Sequence, residues 1–186
     1  MTTIAASGVV YDSRIVCDLL DLPGPLAESA TCDPLTLGRK DGFTFFDPGL
    51  SLVDQRNHAA VRGLGLLREQ HWYDDCKWAT QCERPCYRQV RIPIPGSTGR
   101  CIQEQERLVW PDEEMATTRV ISALWIIHAL ATGQQALRSF YVRSCDTHLT
   151  RRHVVVGSGD CGNLEVCGYW DNYRRSDLGL AGSREC

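Results

Sequence analysis

Three cysteines fall within eleven residues of CKWATQCERPCYRQ (76–89): Cys76, Cys82 and Cys86. Thiols this close together can hold a soft metal ion, attack as a nucleophile, or pair as half-cystines. The same choice faces the whole chain, which carries ten cysteines in 186 residues: Cys17, Cys32, Cys76, Cys82, Cys86, Cys101, Cys145, Cys161, Cys167 and Cys186. A zinc site needs a C-x2-C knuckle or a compact cysteine–histidine set. Here the gaps are five, three and fourteen residues from Cys76 to Cys101, and His148 and His153 lie far along the chain. The spacing therefore assigns no metal and no cofactor, and an intracellular zinc protein is kept only as an alternative.

Nucleophilic chemistry has one specific candidate. GDCGN (159–163) resembles the glycine-framed nucleophile of chymotrypsin-like cysteine proteases, a resemblance that would make His58 the base. The chain departs from that pattern in having Asn163 where glycine is usual, and only 25 residues after Cys161. Pairing accounts for all ten cysteines at once. Each bridge contributes roughly 2–4 kcal/mol by restricting the unfolded chain, and such a load belongs to oxidising compartments. Localisation is accordingly expected to be secreted. MTTIAASGVVYDSR, the first fourteen residues, has neither a basic nor an apolar leader region, so that expectation supposes a leader already removed.

Other side chains could carry function without sulfur. His153 and Glu165 fall on neighbouring predicted strands, near Arg151 and Arg152. An acid, a base and a phosphate clamp are what metal-free phosphodiester cleavage requires, so these residues define the enzymatic alternative, a small secreted hydrolase. Arg84, Arg88 and Arg91, beside Tyr87, could form a basic strip for anionic partners. GYWDNYRR (168–175) presents Tyr169, Trp170 and Tyr173 among arginines, the composition of a recognition surface. His128 lies in an apolar stretch and reads as a hydrogen-bonded core residue. A net charge of −3, without a nucleic-acid-binding motif, counts against RNA or DNA as partner. Lys40 and Lys77 are the only lysines among twenty basic residues. This bias suits either an arginine-rich codon usage or a translocated protein that avoids lysine modification.

Local pattern places these residues on elements. A short strand over 7–11 is followed by SRIVCDLL (13–20), whose apolar residues share one helical face, with Asp12 or Ser13 as cap. GFTFF (42–46) reads as a strand and 51–62 as a helix. RQVRIPI alternates as a strand, placed at an edge by Pro93 and Pro95, with 100–110 as its returning partner. A helix over about 112–131 starts on three carboxylates, stops at Gly133 and is apolar nearly all round, so it must be buried. The longest apolar run, VISALWIIHALA, is too short to span a bilayer. LRSFYVRS (137–144), RRHVVVG (151–157) and LEVCGYW (164–170) predict an antiparallel meander.

The expected fold is α+β: an antiparallel sheet with a C-terminal meander packed on a long buried helix, cross-linked by disulfides. Residues 1–186 read as a single globular domain, with a cysteine-poor lobe (1–75) and a cysteine-rich lobe (76–186) as the other division. In composition the chain is similar to secreted effectors and killer-type toxins of filamentous pathogens. The expected function is thus a secreted, disulfide-stabilised effector or toxin-like protein that binds a host or competitor protein.

Overall fold

The computed structural model describes residues 8–24, 26, 42–64, 72–149, 151–158 and 163–185. In chain order these form β1 (Val9–Tyr11), α1 (Ser13–Leu20), β2 (Phe43–Asp47), α2 (Leu52–Val61), α3 (Lys77–Thr80), β3 (Cys86–Arg91) and α4 (Ile102–Glu106). Then follow β4 (Glu114–Met115), α5 (Thr118–Thr132), β5 (Tyr141–Leu149), β6 (Arg152–Ser158), β7 (Leu164–Trp170), β8 (Leu178–Leu180) and β9 (Gly182–Glu185). The fold is mixed α+β, with two sheets ordered β1-β2-β3-β9-β4 and β7-β6-β5-β8. The β5-β6-β7 meander is antiparallel throughout, whereas β1 and β8 run parallel to their neighbours.

Helix α5 explains the layering. Val120, Ile121, Leu124, Ile126 and Ile127 are buried, and so are Thr118, Arg119 and Ser122 between them. A helix with no polar face must be covered on all sides. It packs on β2 of the first sheet and on β5 and β6 of the second, with α1, α2 and α3 around it. Its start differs from the carboxylate-led start expected at 112. Thr117 is the N-cap, accepting the Val120 N–H at 3.2 Å, and Asp146 accepts the Thr118 N–H at 2.6 Å. The upstream carboxylates are engaged elsewhere: Asp112 with Arg184 at 3.0 Å, and Glu113 with Arg91.

Two further expectations are corrected. β3 is not an edge strand but lies between β2 and β9, because Pro93 and Pro95 fall beyond its last residue and leave its donors intact. The segment 100–110 does not return as a strand. It turns into α4, since Cys101 and Glu104 form a capping box in which the Glu104 carboxylate accepts the Cys101 N–H at 3.0 Å. The segment after residue 175 supplies the missing strands. β8 and β9 are separated only by Ala181, so one short stretch belongs to both sheets.

The expected covalent framework is also corrected. Cys17, Cys76, Cys82, Cys86, Cys101, Cys145 and Cys167 are all unbridged, and Cys32, Cys161 and Cys186 lie outside the described residues. The described sulfurs are distributed over separate elements opposite other residue types. Cys86 faces Asp47 across β2–β3, and Cys167 faces Val155 across β6–β7. Noncovalent interactions therefore hold these elements together.

The main polar one is a buried charge cluster. Asp47 is fully buried and takes two hydrogen bonds from Arg119, at 2.8 and 2.7 Å, and one from Arg88 Nε at 2.7 Å. Glu83 closes the cluster by accepting from both guanidinium groups at 2.6 Å. Gly49 lets the Glu83 segment approach: its φ is 74°, and a Cβ there would overlap the Glu83 carbonyl. Burial alone would raise the Asp47 carboxyl, but the bonds and charge of Arg119, with Arg88 and the Gly49 N–H, hold it below the ordinary value. A depressed carboxyl contributes stability that is complete above about pH 4 and lost as pH falls below it. Asp47→Ala, which leaves the two buried cations only the more exposed carboxylates Glu83 and Glu185, is expected to cost about 3–5 kcal/mol in urea denaturation. Asp47→Asn should also flatten the fall of stability below about pH 4. A loss under about 1 kcal/mol would show that the cluster does not anchor α5 to the first sheet.

Candidate functional site

The second sheet has two unlike faces. Val142, Val154, Val156, Leu164 and Val166 belong to the apolar core, which includes α5. The alternate residues, Tyr141, Arg143, His153, Glu165, Cys167 and Tyr169, occupy the opposite face. Tyr169 stacks near Tyr141 (centroids 6.2 Å apart) and Tyr173 (5.4 Å), and its hydroxyl accepts from Arg175 at 3.2 Å. Arg152 lies over the Trp170 ring at 4.0 Å. Trp170 and Tyr173 are nevertheless 49% and 45% exposed, among the most exposed large apolar side chains described.

The loop after β7 is held from below by Arg143. This arginine is fully buried. It donates to the carbonyls of Tyr173 at 2.6 Å and Trp170 at 3.3 Å, and to the Gln105 side-chain oxygen at 2.5 Å. Among the described residues no carboxylate bonds to it, and burial lowers its pKa below the ordinary arginine value. Backbone bonds complete the fixation: Asp171 N–H to Arg151 O at 3.0 Å, Ile102 N–H to Asp171 O at 3.0 Å, and Gly99 N–H to Arg175 O at 2.8 Å. Gln105 anchors α4 to the same place, donating to Ser97 O at 2.8 Å and Leu178 O at 3.1 Å.

Above this clamp opens a cavity of about 600 Å³ lined by Gln103, Arg151, Trp170, Asp171 and Asn172. At its edge Asp171 Oδ1 meets His153 Nδ1 at 2.7 Å. Such a bond orients an imidazole. A hydrolytic site would further need a nucleophile at the other ring nitrogen, and no hydroxyl or thiol among the described residues bonds to His153.

The residues anticipated from sequence separate into three groups. Of the three aromatic residues, Trp170 lines the cavity, whereas strand alternation puts Tyr169 on the other face of β7, beside Tyr173. His153 and Glu165 do not meet: register sets His153 opposite Tyr169 and Glu165 opposite Gly157, and Glu165 accepts from the Tyr141 hydroxyl at 2.9 Å. Asp171 takes the place expected for Glu165. The basic strip does not form either, because a period of two sends Arg88 and Arg91 to opposite faces of β3. Arg88 is buried against Asp47, Arg91 pairs with Glu113 under Trp110, and Tyr87 accepts the Ser13 N–H at 3.0 Å; only Arg84 is exposed.

Among the remaining candidates, His128 is bonded to the Tyr11 hydroxyl at 2.6 Å and packs against Phe43, as a core residue would. His58 is bound to the Leu20 carbonyl at 3.0 Å, while Cys161 lies outside the described residues. Burial pushes the Cys86 and Cys167 thiols up to about 11, away from thiolate chemistry at neutral pH. Among the described residues no three His, Cys, Asp or Glu side chains are grouped to share a metal ion, and no helix is long and apolar enough to cross a membrane. Of the cavity residues, Arg151 was anticipated as part of a phosphate clamp near His153, whereas Gln103, Asp171 and Asn172 were not singled out. Asp171 carried a signal, two residues beyond Tyr169. No protein-family model matches the chain, and neither a curated protein nor a solved structure shows significant similarity to it.

The clamp is testable. Arg143→Met removes the donors that fix the loop, so hydrogen exchange at the Tyr173 amide is expected to accelerate at least about tenfold relative to α5 amides. Equal acceleration everywhere would mean that Arg143 supports only global stability.

Proposed function

We propose that this protein acts by binding, as a secreted effector or toxin-like protein whose partner is a host or competitor protein. The observation that carries this reading is the exposed pair Trp170 and Tyr173 on a loop immobilised by Arg143. Aromatic anchors backed by arginine dominate protein-binding energetics. A loop already fixed in place loses little further entropy on docking. The secreted setting is supported by composition, ten cysteines with only two lysines; the unbridged described sulfurs add nothing to it.

A photo-crosslinking residue at position 173 tests the binding reading. In extracts of candidate target cells it is expected to give one dominant protein adduct, reduced at least about tenfold by Trp170→Ala without loss of the folded state. Diffuse labelling, or labelling indifferent to Trp170, would reject it. The compartment is tested separately by counting thiols in the denatured, unreduced protein from its native source. Two or fewer support secretion; more than two count against it.

The His153–Asp171 bond beside the cavity favours a second reading, a small secreted hydrolase with His153 as general base and Asp171 as its orienting carboxylate. An activity that survives His153→Ala unchanged would remove this alternative.

A further inference from the structure

We infer that the cavity between α4 and the β7 loop is a binding site for a neutral saccharide. Its volume of about 600 Å³ falls within the small-ligand range of roughly 300–1,000 Å³, and its lining has a consistent chemistry. Gln103 and Asn172 each offer a primary amide, which donates and accepts. Arg151 only donates, and the Asp171 carboxylate only accepts. A sugar hydroxyl both donates and accepts, so neighbouring hydroxyls need both kinds of partner on planar, forked groups, as this lining supplies. Among the described residues, the Gln103, Arg151 and Asn172 side chains form no hydrogen bond or ion pair with one another or with their surroundings. Asp171 commits Oδ1 to His153. Trp170 also lines the cavity and is half exposed; with Arg152 over one side of its ring, the other side is left for the C–H face of a pyranose.

Charge separates this ligand from an anion. Arg151 and Asp171 put opposite charges on the same cavity, so a phosphate drawn by the guanidinium would meet the carboxylate. A neutral polyol meets no such conflict. The walls are also fixed before the ligand arrives. The Arg151 backbone is left-handed (φ 64°) and its carbonyl takes the Asp171 N–H at 3.0 Å; Arg143 holds the Trp170 and Tyr173 carbonyls; and Ile102 at the start of α4 bonds the Asp171 carbonyl. His153 is a positioning residue here, turning Asp171 through one oxygen.

The inference goes beyond protein binding and is tested without any protein partner. Intrinsic tryptophan fluorescence and calorimetry of the full chain would be followed with chitotetraose, cellotetraose, laminaritetraose and mannotetraose, with inorganic phosphate as the anionic probe. At least one neutral tetrasaccharide is expected to bind with Kd of about 10 μM to 1 mM. Trp170→Ala, Asn172→Ala and Gln103→Ala should each weaken that binding, Trp170→Ala by at least about tenfold, and Tyr173→Ala should leave it unchanged. Gln103 and Asn172 are exposed, so their variants keep the test independent of folding. Absence of neutral-sugar binding, binding of phosphate alone, or saccharide affinity indifferent to all three cavity variants would overturn the assignment. None of these results would affect cross-linking at position 173, so the two readings fail separately.

Discussion

Helix α5 has no side it can show to water, and the rest of the architecture follows from that constraint. One sheet can cover only one side of a helix. Here β2 lies on one side and β5 and β6 on another, while α1, α2 and α3 close the remainder. Covering a helix from two sheets requires the chain to knit the sheets to each other. It does so at its C-terminal end, where β8 extends the second sheet and β9 enters the first, separated by Ala181 alone. Ala116, just before the helix, joins the same seam by donating to Ala181 O at 3.0 Å and accepting from Cys145 N–H at 3.0 Å.

Burying a helix this completely also traps charge, and the chain handles two fully buried arginines, Arg119 and Arg143, in opposite ways. Arg119 sits in the first turn of α5, and its charge is met by Asp47 and Glu83. Such a buried network gives less net stability than its bond count suggests, because desolvating the ions offsets most of the attraction. It does discriminate strongly against misplacing the helix, since any shift leaves a cation unpaired in the core. Arg143 has no carboxylate partner among the described residues and is met by carbonyls and an amide oxygen. Carbonyl dipoles cannot neutralise a full charge, so this arrangement is poorer as stabilisation and better as a fastener: one planar fork reaches two residues of the same loop and a third on α4.

Much of this could be read from residue patterns, and the failures have definite physical causes. The solid-apolar helix, its stop at Gly133 and the three strands after it follow from periodicity, which is local. Strand order is not local, so β3 was misplaced at an edge by two prolines that fall past its end. Helix α4 was hidden because its capping box uses Cys101 where serine or threonine usually stands. The pairing of His153 with Glu165 failed on register: the two residues share a face, but four positions of β7 separate Glu165 from the residue opposite His153. The cysteine count argued for covalent pairing, yet a count contains no distances. Gln103 and Asn172 are ordinary surface residues in sequence, and only the turn geometry around Arg151 and the α4 start brings them to it.

The position of the candidate site follows from the same constraint that built the core. With the inner face of the second sheet largely committed to α5, its outer face carries Tyr141, Arg143, His153, Glu165 and Tyr169. The loops that cross that face must be fastened to it by side chains pointing outward from the strands. Arg143 on β5 does this for residues 170–173, and Gln105 does it for the segment between Ser97 and α4. Two fasteners that meet each other, through the 2.5 Å bond between Arg143 and Gln105 Oε1, set the spacing between the α4 side and the β7 side of the cavity. The width of the opening is thus determined by a buried hydrogen bond rather than by the residues that line it. Lining residues can therefore vary without changing the frame, which is the division of labour that a recognition surface requires.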